Sequence, residues 1–277
     1  MLPEGDRPEA GASGGTSGSS GTDGLVLEDI TVTFGGLTAL SEVSLAVGDN
    51  RVHGVIGPNG AGKTTLFNVA CGFTRPDSGH WSWRGRRLTG LRPHDLAGLG
   101  IARTLQGVGL FDRMSVVENV IIGTEGRARS GFFSSLLGLT GSAREERRLR
   151  EESMAALDSL HISEYADQYP PNLPYPIRKR VSLARALVAR PALLLLDEPA
   201  SGLSQTEMDE LADLIRSLTE EMSILLVEHH MDLVMSVCDD ITVLDFGRVI
   251  AHGPPAAVKD DPAVLAAYLG DPVEQGG

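Results

Sequence analysis

Short, mostly apolar runs punctuate the chain: Val52-His53-Gly54-Val55-Ile56, Leu193-Leu194-Leu195-Leu196 and Ile224-Leu225-Leu226-Val227. A strand buried on both faces has no polar side to display, so alternation disappears. Such strands usually lie in parallel sheets. Between the second and third runs, residues 205–219 carry a helical pattern, opened by Ser204-Gln205-Thr206-Glu207 at capping-box spacing. That is a βαβ crossover. Earlier, the pattern is different. Leu25 to Phe34 has strand composition, Gly35-Gly36 turns, and Leu40 to Val47 alternates as a second strand before the turn Gly48-Asp49-Asn50. Trp81 and Trp83 flank Ser82 as in a strand, and Ile101 to Gln106 reads as a strand ending in a lone polar amide. Ile241–Leu244 and Arg248–Ile250, joined by a turn at Phe246-Gly247, complete the strand set. The predicted helices are a segment continuing from Leu66 to Ala70, a short one over 92–99, one opened by the Ser115–Glu118 capping box and reaching about Ile122, and a charged helix from Arg144 to Leu160 with i,i+4 pairs. A basic helix over 178–185 follows, and short helices run up to Leu269.

The first buried run leads into Gly57-Pro58-Asn59-Gly60-Ala61-Gly62-Lys63-Thr64-Thr65, which matches G-x-x-x-x-G-K-[ST] at every fixed position. Gly57, Gly60 and Gly62 let the backbone bring its N–H groups up to an anion, and the following helix aims its free N–H groups at the same place. Lys63 supplies a mobile cation for β- and γ-phosphates, and the Thr64 hydroxyl suits Mg²⁺. Such a site needs an acidic partner. Asp197 closes the second buried run, at the rim where α/β sheets bind ligands, and is read as the Mg²⁺ ligand. Glu198 is placed to orient or deprotonate an attacking water. The third run ends in Glu228-His229-His230, which puts His229 at the same edge, in reach of a γ-phosphate. Gln106 ends its strand in the same way, and its amide oxygen can complete the metal or water shell. Phe34, near a turn upstream, offers an aromatic face for a base.

Composition narrows the possibilities. The 277 residues carry 24 basic and 37 acidic side chains, a net charge of −13, which argues against general nucleic-acid binding. Cys71 and Cys238 lack metal-ligand spacing and read as buried thiols in a reducing compartment. No run of 18 apolar residues spans a membrane. The start lacks a secretory leader's pattern. A cytosolic protein, or one held at a membrane by partners, is expected. Residues 1–24 are rich in Gly, Ser, Pro and acidic side chains, too poor in apolar surface to offset ordering entropy, and read as a disordered tail. Within 126–142, Phe132 to Leu139 reads as a short amphipathic helix, packed on its own subdomain or against a partner or membrane surface.

The order of aromatic turn, phosphate loop, Gln106, helix-opening signature, Leu-Leu-Asp-Glu-Pro and following His resembles the ATP-binding cassette family over residues 25–253. More narrowly, Phe34-Gly35-Gly36, Ile101-Ala102-Arg103-Thr104, Leu110-Phe111, Ser115-Val116-Val117-Glu118-Asn119-Val120 and Ala266-Ala267-Tyr268-Leu269-Gly270 resemble the ATPase subunits of high-affinity branched-chain amino acid importers. Urea and short-amide importers have similar subunits. The resemblance implies an α/β P-loop NTPase: a RecA-like core with a parallel-rich sheet, an antiparallel β subdomain, a helical signature subdomain at about 107–190, and a C-terminal helical extension over 254–277. It implies ATP and Mg²⁺ as cofactors, with Phe34 stacking the adenine and Gln106 linking the nucleotide to the membrane subunits. It also implies two cassettes sandwiching two ATP, two transmembrane permease subunits, an extracytoplasmic solute-binding protein, and a place on the cytoplasmic face of the membrane.

One departure stands out. The family's signature, Leu-Ser-Gly-Gly-Gln or Leu-Ala-Tyr-Gly-Gln, is here Leu173-Pro174-Tyr175-Pro176-Ile177. In the family this helix start binds the γ-phosphate held by the opposite cassette. Pro176 has no N–H to offer, Pro174 replaces a small residue that is often serine, and Ile177 replaces the glutamine. Losing two charge-assisted bonds of about 1.5–3 kcal/mol each weakens closure roughly a hundredfold or more. Ser204 also replaces the usual Asp or Asn after Asp197-Glu198-Pro199-Ala200-Ser201-Gly202-Leu203. The expectation is an asymmetric heterodimer with one competent and one impaired site. Competing readings are a regulatory cassette that barely hydrolyses ATP, and a non-transport cassette acting on DNA or ribosomes. The acidic charge and the single cassette disfavour the last.

Overall fold

The computed structural model describes residues 24–104, 108–124 and 143–269. Within these, six strands form a parallel-rich sheet in the order β10-β9-β3-β8-β7-β6. They are β3 (Val52–Ile56), β6 (Ile101–Arg103), β7 (Leu193–Asp197), β8 (Ser223–Val227), β9 (Asp240–Asp245) and β10 (Arg248–Gly253). Only β10 runs antiparallel, against β9. A second, antiparallel sheet has the order β2-β1-β4-β5, from β1 (Leu25–Phe34), β2 (Leu37–Val47), β4 (Ser78–Trp83) and β5 (Arg86–Leu88).

The period of two in the apolar runs sorts side chains onto two cores. Leu194, Leu196, Ile224, Leu226, Ile241 and Val243 face the helices. Leu193, Leu195, Leu225, Val227 and Leu244 face the antiparallel sheet and α1 (Lys63–Ala70). Both faces are apolar because both are covered, so the continuous runs become β3, β7 and β8 as the sequence predicts.

The helices packed on the first core are α2 (Val116–Ile122), α3 (Ala143–Ser159), α4 (Tyr175–Leu187), α5 (Gln205–Leu218), α6 (Met231–Val237), α7 (Pro255–Lys259) and α8 (Pro262–Leu269). Both capping boxes form: the Glu118 carboxylate accepts the Ser115 N–H at 2.7 Å, and that of Glu207 accepts the Ser204 N–H at 2.7 Å. Asn119, fully buried, accepts the Phe111 N–H at 2.8 Å and donates to the carbonyls of Phe111, Met114 and Ser115. One side chain thus fixes the loop that feeds α2.

Three expectations change. Residues 92–99 form two 3₁₀ turns, Pro93–Asp95 and Ala97–Leu99, instead of a helix. Gly98 is a poor helix former, the Leu99 and Gly100 N–H groups bond back only three residues, to Leu96 at 3.0 Å and Ala97 at 3.2 Å, and Gly100 turns the chain out at φ +73°. β6 stops at Arg103. The basic helix starts three residues early, at Tyr175, and so takes in Pro176. The readings of 1–23, of 126–142 and of Gln106 itself lie outside the described residues.

One buried group makes the sheet sensitive to acid. His53 in β3 lies at hydrogen-bond distance from Thr242 Oγ1, 2.8 Å, and stacks on His252 with ring centroids 5.7 Å apart. Burial, then the nearby His252, pushes its pKa down to about 4. The unfolded chain takes up this proton below about pH 6.5 while the native state refuses it. The contribution of His53 is therefore complete above pH 6.5 and is lost as pH falls towards 4. Denaturant melts should show the stability advantage of wild type over His53→Gln shrinking by about 2 kcal/mol from pH 7.5 to pH 5. A difference independent of pH would contradict a neutral buried His53.

Candidate functional site

Parallel strands all end at one edge, and that edge collects the chemistry. The phosphate loop follows β3, Asp197 ends β7 with Glu198 just beyond it, and Glu228-His229 follows β8. The strand order places β8 between β3 and β7, so the three rims are adjacent.

The loop is pinned from beneath. A Cβ on Gly57 would sit 2.2 Å from the Leu244 carbonyl oxygen, and one on Gly62 would sit 2.7 Å from that of Ala39, with Gly62 at φ +103°. Neither position tolerates a side chain. The Gly247 N–H donates to the Ala61 carbonyl at 3.0 Å, and the Ser41 N–H to the Gly247 carbonyl at 2.8 Å, so the β9–β10 turn and β2 brace the loop's far end. Pro58 is half-buried, Asn59 and Gly60 form an exposed tip, and Ala61 is buried below it. Gly62 is the N-cap of α1 and has no side chain to cap it. The first N–H groups of α1 thus point outward without a capping side chain. Lys63 is buried, and its Nζ donates to the carbonyls of Gly57 at 2.7 Å and Pro58 at 2.9 Å. Burial lowers its pKa, and Glu198 opposes this. A desolvated ammonium beside bare helix N–H groups is a cradle for a polyanion. Thr64 is exposed on the first turn of α1 and Thr65 half-buried.

Acidic groups gather on the other side. Burial first, then Glu198 and Glu228, pushes Asp197 up to about 6, against the pull of Arg103. Glu198 sits at φ +46°, a strained conformation for a residue with a Cβ, held by its N–H donating to the Val227 carbonyl at 2.8 Å. The exposed His229 ring has Nδ1 3.8 Å from Glu198 Oε1 and 3.3 Å from Glu228 Oε1. Phe34 closes β1 with just over half its surface exposed, at the hairpin whose return strand passes the loop at Ala39. The structure therefore brings together the loop, Asp197, Glu198 and His229, with Phe34 on the adjoining hairpin.

Sequence reasoning overlooked Glu228. It is fully buried, and its carboxylate accepts N–H groups from Ala200 at 3.1 Å, His229 at 3.0 Å and His230 at 3.3 Å. A carboxylate directly after a buried apolar strand must find such partners, and that was the available signal.

A family model described as "ABC transporter" matches residues 40–201, over half of the chain. The chain belongs to the ABC transporter ATP-binding family. A second model, "Branched-chain amino acid ATP-binding cassette transporter", matches residues 248–274 of this cassette. The high-affinity branched-chain amino acid transport ATP-binding protein BraF of Pseudomonas aeruginosa is 39% identical over 249 residues, covering 89% of this chain and 98% of that protein. LivG of Escherichia coli, of the same description, is 37% identical over the same shares. Among solved structures, a nucleotide-free ATP-binding cassette from an ABC transporter superposes with a TM-score of 0.78 at 31% identity, covering 89% of this cassette and 99% of the other chain. The family binds ATP, and the cradle described above fits its phosphates. The α/β P-loop NTPase architecture matches that expected from the sequence.

Lys63→Met keeps the buried stem and removes the charge. The cassette should keep its melting temperature and lose about tenfold or more in ATP affinity, read by titration with a fluorescent ATP analogue. Unchanged affinity would remove Lys63 from the cradle.

Proposed function

We propose that this cassette is the ATP-hydrolysing subunit of an importer for branched-chain amino acids, held on the cytoplasmic face of the membrane by two separate permease subunits. An extracytoplasmic binding protein selects the solute. One observation carries the reading: the convergence of the phosphate loop, Asp197, Glu198 and His229 at one sheet edge. It stands in a chain whose relatives, similar along nearly its whole described length, are branched-chain amino acid transport ATP-binding proteins. Among the described residues no helix is long and apolar enough to cross a membrane, consistent with a pore made by other chains. In this reading residues 25–253 are the ATPase domain, with a helical signature subdomain at about 107–190, and residues 254–277 are a C-terminal extension.

Magnesium-bound ATP supplies the γ-phosphoryl group whose transfer to water drives transport. This chain's residues bind and orient. Lys63 and the α1 N–H groups hold β- and γ-phosphate oxygens, and Phe34 stacks the adenine. Thr64, Asp197 and Gln106 would hold Mg²⁺, which would neutralise charge on the phosphates. Burial first, and then the neighbouring Glu198 and Glu228 carboxylates, raise Asp197, and a divalent cation would offset the negative charge gathered there. Glu198 orients the water and takes its proton. His229, steadied by two carboxylates, contacts the γ-phosphate.

Two nucleotide sites of a head-to-tail dimer would draw on different halves of this chain. Pro174 is the N-cap of α4, and Pro176 lies in its first turn. The segment that should face the partner's γ-phosphate therefore lacks two N–H groups, those of Pro174 and Pro176. We place this cassette in a heterodimer, where it contributes the intact loop to one site and the impaired segment to the other. The same prolines favour a second reading, a regulatory cassette that binds ATP and barely hydrolyses it.

Pull-down from membranes should recover two hydrophobic permease chains and a second cassette. Glu198→Gln should abolish turnover and trap an ATP-bound dimer. Pro176→Gly should raise the turnover of the chain alone by about tenfold. High activity of the chain alone, unmoved by Pro176→Gly, would sink the asymmetric assembly. An Glu198→Gln chain as active as wild type would remove Glu198 from its role, and recovery without permeases would favour the regulatory reading.

A further inference from the structure

The turn that carries Glu198 is gripped from α4. Lys179 Nζ donates to the carbonyl of Pro199 at 2.7 Å and that of Ser201 at 2.5 Å, and lies 3.5 Å from that of Glu198. Three carbonyl dipoles of one four-residue turn thus converge on a single ammonium, which has three donors to give. On the opposite side of the same turn, the Ala200 N–H donates to the buried Glu228 carboxylate at 3.1 Å. A cation therefore holds the carbonyl side of residues 198–201 and an anion holds the N–H side. Tyr175 completes the contact. Lys179 Nζ lies 5.3 Å from the Tyr175 ring centroid, and a Cβ on Gly202 would come within 3.2 Å of that ring.

The arrangement matters because Glu198 is not held by ordinary strand geometry. Its φ is +46°, and the Ser201 N–H closes the turn onto the Glu198 carbonyl at 3.2 Å. A backbone in that region persists only where its surroundings over-determine it. Without the ammonium, three carbonyl oxygens would face one another with no common donor, and the turn would relax. The carboxylate of Glu198 would move with it. Lys179 touches no part of the phosphate cradle, whose cation is Lys63.

We propose that Lys179 is a positioning residue for hydrolysis: with Glu228 it clamps the 198–201 turn from both sides and fixes the Glu198 carboxylate, coupling the start of α4 to the reacting end of its own chain. The clamp lies within one chain and survives the loss of glycine and glutamine in the signature segment. It rests on the reading of Glu198 as the water-orienting group.

The test separates binding from turnover in the full chain. Lys179→Met keeps the stem and removes the donors. Its kcat should fall by about tenfold to a hundredfold, the cost of a slightly misplaced catalytic group. Affinity for a fluorescent ATP analogue should stay within about twofold, because the cradle is untouched. Backbone amide exchange should speed up over 198–203 and stay unchanged over 57–65. Lys179→Arg, which restores a cation with several donors, should recover part of both kcat and protection. Lys179→Met turnover within about twofold of wild type would overturn the proposal. So would ATP affinity falling in step with kcat, unchanged exchange over 198–203, or a Lys179→Arg chain no better than Lys179→Met. If Lys179→Met is too unstable to assay, Lys179→Arg decides: intermediate kcat with intermediate exchange supports the clamp, and wild-type exchange with impaired kcat refutes it. Glu198→Gln in parallel keeps the two ideas apart. Normal turnover there defeats the role of Glu198, while exchange over 198–203 still reports on the clamp.

Discussion

Burial of the parallel sheet on both faces is the constraint from which the rest follows. Leu193 and Leu195 face one core and Leu194 and Leu196 the other, so neither side of β7 has room for a charge. Polar chemistry is therefore expelled to the strand ends, and parallel strands share one end. Asp197, Glu198, Glu228 and His229 follow apolar runs for this reason, and the phosphate loop meets them because β3 lies one strand away from β8.

Crowding charge at that rim creates a second problem, which the backbone solves. Glu228 is fully buried, yet it costs little because three backbone N–H groups satisfy it. Lys63 and Lys179 each turn their ammonium onto backbone carbonyls. The site is thus a set of loops tied by ionic groups to main-chain dipoles. Such loops are stiff where they are tied and exposed where a ligand must enter, as at Asn59, Gly60 and Thr64.

The signature segment shows how local chemistry and assembly interact. Proline is at home in the first turn of a helix, so Pro174-Tyr175-Pro176 starts α4 without distorting it. Its consequence falls on whatever approaches that end, where two N–H groups are missing. Folding of the chain and completeness of its intermolecular face are separate requirements, and this sequence meets the first while departing from the second.

Much was legible in the sequence because the determinants are local or periodic. The loop spacing, the unbroken apolar runs and the two capping boxes each encode their structure within a few residues, and β3, β7, β8, α2 and α5 follow. The first buried residue of a strand and the acid that ends it are likewise set by period and position. Tertiary structure alone decided what depends on a partner distant in the chain. His53 became a buried imidazole with a lowered pKa because folding removes it from water and brings His252 beside it. Glu228 and Lys179 looked like an acid near a histidine and one charge in a basic helix. Their roles arise where the ends of β7 and β8 and the first turns of α4 meet, and no spacing within the chain encodes that meeting, since the main-chain groups they bind are distant in sequence and any residue type can supply them.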